Sequence, residues 1–252
     1  MIRSLAACAL AVLISGCSEA ADPAQDRAEI ETIVREYIIA NPELIEDALV
    51  ELRRRAEARE AQQLRDAAVA LTGALFDDAR DPFIGAAGAV VTVVEFTDYA
   101  CAFCKRAHEW KELMLTLYPG QVRFVHKTLP LRGEASEISA LAALSVWEGQ
   151  RDVYEAFHDG LMVHRGALDQ AALDEVAEAA GVDVAAMRAG MLSPAVEAHL
   201  DRTFELANQL NLRGTPMFLF PGDVIIPGYA PPEMTAALEA ALAAAGDEPA
   251  DG

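Results

Sequence analysis

Cys101-Ala102-Phe103-Cys104 is the stretch of this chain best equipped for chemistry. Two thiols this close can join in a short disulfide and part again, and only the thiolate form attacks another sulfur. The flanking residues decide whether a thiolate is available. Val91-Thr92-Val93-Val94-Glu95-Phe96 is a short run rich in β-branched residues, which predicts a buried strand. From Lys105 to Tyr118 apolar residues recur at helical intervals, with Trp110, Leu113, Met114 and Leu117 expected on one face. Cys101 then stands at a helix N-terminus, where unpaired N–H groups and the helix dipole favour a negative sulfur. The rival reading of the pair is half of a zinc site. The chain has no second C-x-x-C, and His108 is the residue that could add a ligand on the same helix face. A bridge closing so short a loop stabilises little through chain entropy, so a purely structural disulfide is not expected.

The 252 residues suffice for one domain with a large core plus an extension. A net charge of -20 argues against nucleic acid or an anionic membrane surface as a partner. Met1-Ile2-Arg3, followed by an apolar run from Leu5 to Ile14, has the form of an export leader too short to span a bilayer. The run ends in Leu13-Ile14-Ser15-Gly16-Cys17, the form of a bacterial lipobox. Residues 1–16 are therefore read as a lipoprotein-type signal peptide and Cys17 as a lipid anchor, with cleavage after Ala20 as the competing reading. Once Cys8 leaves with the signal and Cys17 is acylated, Cys101 and Cys104 remain as thiols, which suits an oxidising compartment such as the periplasm.

Residues 17–26 read as a polar linker and residues 27–80 as a helical region. Ile30, Ile33, Val34, Tyr37 and Ile38 follow helical spacing. Asn41 is expected as the N-cap, and Pro42 as the first residue, of a second helix carrying Leu44, Ile45, Ala48, Leu49 and Leu52. These helices have no core of their own, so their stripe must face the main domain, a membrane or another copy of the chain. A homo-oligomer built through them is the partner reading favoured by two consecutive amphipathic helices. Gln121–Lys127 predicts a second strand; its His126 is an acid–base candidate, although a strand histidine is more often structural. Residues 134–211 read as helices near Ile138–Trp147, Val153–Leu161, Leu173–Ala180 and Pro194–Leu210. Such a block is better read as an inserted helical subdomain than as a simple crossover. Gly214-Thr215-Pro216 then leads into a hairpin, Met217–Phe220 and Val224–Pro227, before a closing helix from Pro232 to Ala245. Residues 247–252 read as a disordered acidic tail.

This order of strand, CxxC helix, strand, helical insert, Gly-Thr-Pro, hairpin and helix resembles the DsbA family of the thioredoxin superfamily. The likeness runs from about Asp81 to Ala245. It is carried by Glu95-Phe96-Thr97-Asp98-Tyr99, Cys101 to Cys104, Phe157-His158 and Gly214 to Phe218. Ile33–Leu52 further resembles the ScsC-type members, whose N-terminal helices oligomerise and whose activity includes disulfide isomerisation. The fold implied is α/β: a thioredoxin fold over 81–246 with its helical insertion, preceded by an N-terminal α-helical extension. The activity implied is that of a protein disulfide oxidoreductase, isomerase or oxidase, working on cysteine-containing client proteins with no cofactor and with a membrane redox partner.

By the same resemblance, Cys101 is the attacking sulfur, exposed at the helix start, and Cys104 the buried resolving thiol. Thr215-Pro216 matches the family's cis-proline loop, which faces the dithiol and pairs with an extended client backbone. Glu95 matches a buried acid beneath the site, whose raised pKa would let it exchange a proton with Cys104. Asp98 and Lys105 border the site, where charges more often tune solubility. One departure matters: Ala102-Phe103 lacks the proline and histidine of the most oxidising members, which predicts a weaker oxidant. Phe103 also makes the lip of the site apolar, suited to unfolded clients. Two alternatives stay open: a monomeric DsbA-like oxidase, and a metal-binding or chaperone scaffold using Cys101, Cys104 and His108.

Overall fold

A computed structural model describes residues 23–247. The readings that rest on residues 1–22 and 248–252, namely the leader, the Cys17 anchor, most of the linker and the tail, lie outside the described residues. Those described fall into two compact units, one ending at Ala58 and the other beginning at Arg59.

The first unit contains α1 (Pro23–Ala40) and most of α2 (Glu43–Ala70). Asn41, expected to cap the second helix, instead turns back: its Nδ2 donates to the Tyr37 carbonyl at 2.8 Å. The Tyr37 carbonyl also accepts from the Asn41 N–H at 2.9 Å, so backbone and side chain of Asn41 together close the end of α1. Ile30, Ile33, Val34, Tyr37, Leu44, Ile45 and Leu49 are all exposed.

The second unit continues with α3 (Thr72–Phe76), β1 (Phe83–Gly85), β2 (Val91–Thr97), α4 (Ala102–Leu117) and β3 (Val122–Thr128). Next come α5 (Glu134–Gly149), a single 3-10 turn at Arg151–Val153, α6 (Tyr154–Val163), α7 (Gln170–Ala179), α8 (Val184–Gly190) and α9 (Pro194–Gln209). The hairpin β4 (Met217–Phe220) and β5 (Val224–Pro227) and the helix α10 (Pro231–Asp247) close the chain. The sheet order is β1-β3-β2-β4-β5, with β2 and β3 parallel and every other pair antiparallel. A parallel strand–helix–strand crossover followed by an antiparallel hairpin and a helix is the thioredoxin arrangement, here with α5 to α9 inserted.

Strand β2 is buried on both sides, and its valines and phenylalanine divide between two cores. Val91 and Val93 belong to the larger core, with Trp110 and Met114 of α4 and Met234 and Leu238 of α10. Val94 and Phe96 face the other way, into a second core with Ala68, Leu75, Ala207 and Leu210. Side chains alternate along a strand, so Glu95 shares the face of Val93 and points toward α4.

The start and buried face of the CxxC helix need correction, and two short elements carry no pattern that announces them. Helix α4 begins at Ala102, and its buried face holds Cys104, Ala107, His108, Trp110, Lys111 and Met114, while Leu113 and Leu117 are exposed. Counting apolar residues assigns His108 and Lys111 to water; partners inside the protein draw them in. Strand β1, at three residues, is too short to show alternation. Helix α8 was missed as well, although Asp183 caps it by accepting from the Ala186 N–H.

Candidate active site

The turn between β2 and α4 is built by Asp98. Its Oδ1 accepts from the Ala100 N–H and its Oδ2 from the Leu131 N–H, both at 2.9 Å, and its carbonyl accepts from the Cys101 N–H at 3.0 Å. The buried carboxylate thus fastens the start of α4 to the loop after β3, which carries Arg132. Asp98 is therefore a structural rivet and not a surface charge. Lys105 is structural too: its Nζ donates to the Leu161 and His164 carbonyls at 3.2 and 2.6 Å, closing the C-terminal end of α6. Asp98→Ala leaves two N–H groups without their acceptor, and the expected loss is about 1–3 kcal/mol of stability in urea unfolding.

Cys101 is the N-cap residue of α4. Its Sγ lies 3.4 Å from the Thr215 carbonyl oxygen and 3.6 Å from Arg132 Nη2. The Thr215–Pro216 peptide is cis, and the Pro216 carbonyl accepts from the Gly228 N–H at 2.8 Å. Cys101 is not exposed as the resemblance implied; it has no accessible surface, because chain segments distant in sequence close over it. Phe103 is half exposed beside it, with the Arg106 guanidinium 4.3 Å above its ring.

Both cysteines are free thiols, and their environments separate them. The Cys104 thiol donates to the Cys101 sulfur, and with the N–H groups of Cys104 and Phe103 it pulls Cys101 down to about 5, against burial. At neutral pH Cys101 is a thiolate. Cys104 is pushed far up, first by burial, then by its bond to Cys101 and by the negative charge of Glu95. One sulfur is ready to attack; the other holds its proton until called on.

Beneath the dithiol lies a polar cluster in an otherwise apolar core. Parallel register pairs Glu95 with His126, so both face α4. Lys111 fills the gap, its Nζ donating to Glu95 Oε2 at 2.6 Å and to His126 Nε2 at 2.9 Å. Neither Glu95 nor Lys111 has accessible surface. Burial raises the Glu95 pKa, and the Lys111 ammonium pulls it partly back. His126 is kept neutral, its pKa driven well below the usual value by burial and then by Lys111. It stacks on His158 with ring centroids 4.0 Å apart.

His108 does not join the cysteines. Its ligand atom, with those of His158 and Asp159, forms a group lying within 4.8 Å of one another, and no such group containing a cysteine occurs among the described residues. The metal reading of Cys101, Cys104 and His108 therefore loses its third ligand. Sequence reasoning missed Lys111 and Arg132. Lys111 follows Cys104 by two helical turns, a spacing that places it on the same face. Arg132 sits in a loop and leaves no pattern.

The family model described as the DSBA-like thioredoxin domain matches residues 92–239, more than half of the chain. This chain belongs to the DsbA-like thioredoxin family. Residues 26–59 match a second model, described as the copper resistance protein ScsC N-terminal domain. Among solved structures, Proteus mirabilis ScsC in a transitional conformation is 30% identical, with 88% of this chain and 99% of that one covered and a TM-score of 0.65. A thioredoxin-like oxidoreductase from Silicibacter pomeroyi DSS-3 is 34% identical, covering 67% of this chain and 96% of that one at a TM-score of 0.62. A periplasmic thioredoxin-like protein from Salmonella enterica serovar Typhimurium is 29% identical, covering 69% and 96% at 0.61. The DsbA-like family is one of thiol–disulfide oxidoreductases. Some curated relatives are much longer: this chain spans 27% of the Na(+)/H(+) antiporter NhaA 1 of Salinispora arenicola, at 27% identity over 175 residues, which are 69% of this chain.

Proposed function

We propose that this DsbA-like chain is an exported protein disulfide oxidoreductase and isomerase, with Cys101 as attacking and Cys104 as resolving thiol. The observation that carries the reading is the inequality of the two sulfurs: Cys101 lies near pKa 5 at the start of α4, beside the Thr215-Pro216 loop, while Cys104 is held protonated. The Cys101 thiolate attacks a sulfur of a client disulfide, forming a mixed disulfide and releasing the client's other sulfur as thiolate. Cys104 then attacks Cys101, closing the Cys101–Cys104 disulfide and freeing the reduced client. In isomerisation a client thiolate attacks the client sulfur instead, and Cys101 leaves unchanged. Glu95 takes the proton that Cys104 must lose in the first case. Thr215 and Pro216 hold an extended client strand by backbone pairing, and Phe103 with exposed Leu131 gives it apolar contact.

The leader at residues 1–16, and a relative named as periplasmic, support a periplasmic location, with Cys17 as lipid anchor. A membrane redox partner would restore the working oxidation state. The exposed stripe of α1 and α2, together with the ScsC N-terminal match, supports a homo-oligomer. Several dithiols held around one client raise their effective concentration and favour reshuffling over simple oxidation.

Scrambled ribonuclease tests this reading. The full mature chain is expected to restore ribonuclease activity and to sediment as an oligomer. A chain beginning at Arg59 should sediment as a monomer, lose most isomerisation and keep dithiol oxidation. The cut belongs at Arg59 because Ala68 and Leu75 are buried against the sheet. Equal isomerisation by both forms would remove the case for oligomer-dependent isomerisation, and a full chain that sediments as a monomer and only oxidises would favour the monomeric oxidase. An intact-mass measurement of the native N-terminus tests the lipid at Cys17.

A further inference from the structure

His108, which spacing alone would group with the cysteines, meets different company across the seam between α4 and α6. Its Nε2 lies 3.6 Å from Asp159 Oδ1, and its ring stands edge-on to that of His158 with centroids 5.4 Å apart. One ligand atom from each of these three residues comes within 4.8 Å of the others, and no second group of this kind occurs among the described residues. His158 has no accessible surface and His108 is 3% exposed. His158 Nε2 and Asp159 Oδ1 are buried without a hydrogen-bond partner, as is the second ring nitrogen of His108. Buried polar atoms normally find partners, so orphans converging on one place mark a site for a group that takes lone pairs.

The lone pairs are there to be taken. Burial keeps both rings neutral, driving His108 down to about 3 and His158 well below the usual histidine value. His158 Nδ1 is engaged by the Tyr99 hydroxyl at 2.9 Å. With the ring donating from that nitrogen, Nε2 presents its lone pair toward the seam. A metal-bound imidazole is ordinarily held this way, its other N–H fixed by an oxygen that sets ring and tautomer. Negative charge gathers at the same place. Glu112 follows His108 by one turn of α4, and Glu155 precedes Asp159 by one turn of α6; after burial, their charges bring the Asp159 carboxyl up to about 7. The nearby ammonium of Lys111 is already paired with Glu95.

We propose that His108, His158 and Asp159 form a binding site for a divalent transition-metal ion, with Zn²⁺ as the ion whose preferences the donors match. Two imidazoles and one carboxylate suit such an ion, whereas Ca²⁺ and Mg²⁺ take oxygen ligands alone. Three protein ligands leave the fourth tetrahedral position to water. Bonds of about 2.0–2.1 Å set tetrahedral ligand atoms about 3.3 Å apart, and the His108–Asp159 edge at 3.6 Å is near that already. Rotation of the Asp159 side chain, 36% exposed, closes the rest and gives the ion its way in. A bound ion would pin α4 to α6 along the seam that Lys105 also bridges through the Leu161 and His164 carbonyls. The site uses no cysteine and does not rest on the dithiol reading.

The test is calorimetric titration with Zn²⁺ of the mature chain beginning at Ser18, with Cys101 and Cys104 oxidised to their disulfide so that no thiol is free to bind. One Zn²⁺ per chain is expected, with a Tm that rises with Zn²⁺ concentration. X-ray absorption of the complex should show nitrogen and oxygen at about 2.0–2.1 Å and no sulfur at about 2.3 Å. Losing an outer-shell partner typically costs about 10–100-fold in metal affinity, so His108→Gln and Asp159→Asn, which each remove a ligand, should weaken binding at least about a hundredfold. His164→Ala, at the C-terminal end of α6, should bind as wild type does. Asp159→Asn changes a partly exposed residue and decides the matter even where His108→Gln fails to fold. No saturable uptake by the wild type, wild-type affinity in either ligand variant, loss of binding in His164→Ala, or sulfur in the shell of the ion would each overturn the site.

Discussion

Cys104→Ser is expected to trap cysteine-containing clients as a stable mixed disulfide on Cys101, and Cys101→Ser to form none and lose all exchange activity. The asymmetry follows from the two environments. Cys101, near 5, is almost wholly thiolate at neutral pH, whereas an ordinary thiol near ~8.5 is only a few per cent ionised there. Serine at position 104 still fills the buried site but cannot attack sulfur, so the first covalent step proceeds and the second stops. A non-reducing gel followed by reduction and mass analysis reads the result. Adducts on Cys104 in the Cys101→Ser variant would reverse the assignment. The same inequality fixes a pH dependence. A group whose pKa is depressed on folding stabilises the folded, reduced form above its unfolded value, and that contribution disappears as pH falls through its folded value. For Cys101 the stabilisation is complete above about 8.5 and is lost as the pH drops through about 5. Attack on clients should therefore be nearly flat across neutral pH and decline in acid.

Lys111→Met carries the largest expected effect on stability. It leaves the Glu95 carboxylate in a fully buried site without its counter-charge and takes a donor from His126. Breaking a buried pair in this way costs about 3–5 kcal/mol, because the remaining charge stays desolvated. Glu95 responds by binding a proton, since burial already raises its pKa and the opposing pull of Lys111 is gone. The double variant Glu95→Gln with Lys111→Met removes both charges and should recover most of the loss. Urea unfolding of the wild type, the two single variants and the double variant forms a thermodynamic cycle. A Lys111→Met chain as stable as wild type would mean that the pair is solvated or unformed.

What could be read from sequence was local. The β-branched run of β2, the C-x-x-C after it and the turn residues of the β4–β5 hairpin are written in neighbouring residues, and the order of elements leads to the family. The cover over Cys101 is not local: its sulfur meets Arg132 and Thr215, which lie 31 and 114 positions away. The same holds for the polar cluster. Glu95 meets His126 only because β2 and β3 pair in parallel in one register, and Lys111 is buried only because both are there. A helical pattern scored by hydropathy must send that lysine to water, and it then selects Leu113 and Leu117 for the interior in its place. Asp98 looks like a surface charge until the loop carrying Leu131 is folded against it.

The central claim is that Cys101 is an acidic thiol made so by its place at the start of α4 and by its partner Cys104. The ultraviolet absorbance of the thiolate, followed through a pH titration of the reduced protein, tests it most directly. The account predicts one transition near 5, absent from the Cys101→Ser variant and shifted upward in Cys104→Ala, where the donated hydrogen bond is lost. A reduced protein whose Cys101 thiol first ionises near the ordinary value of about 8.5 would contradict it.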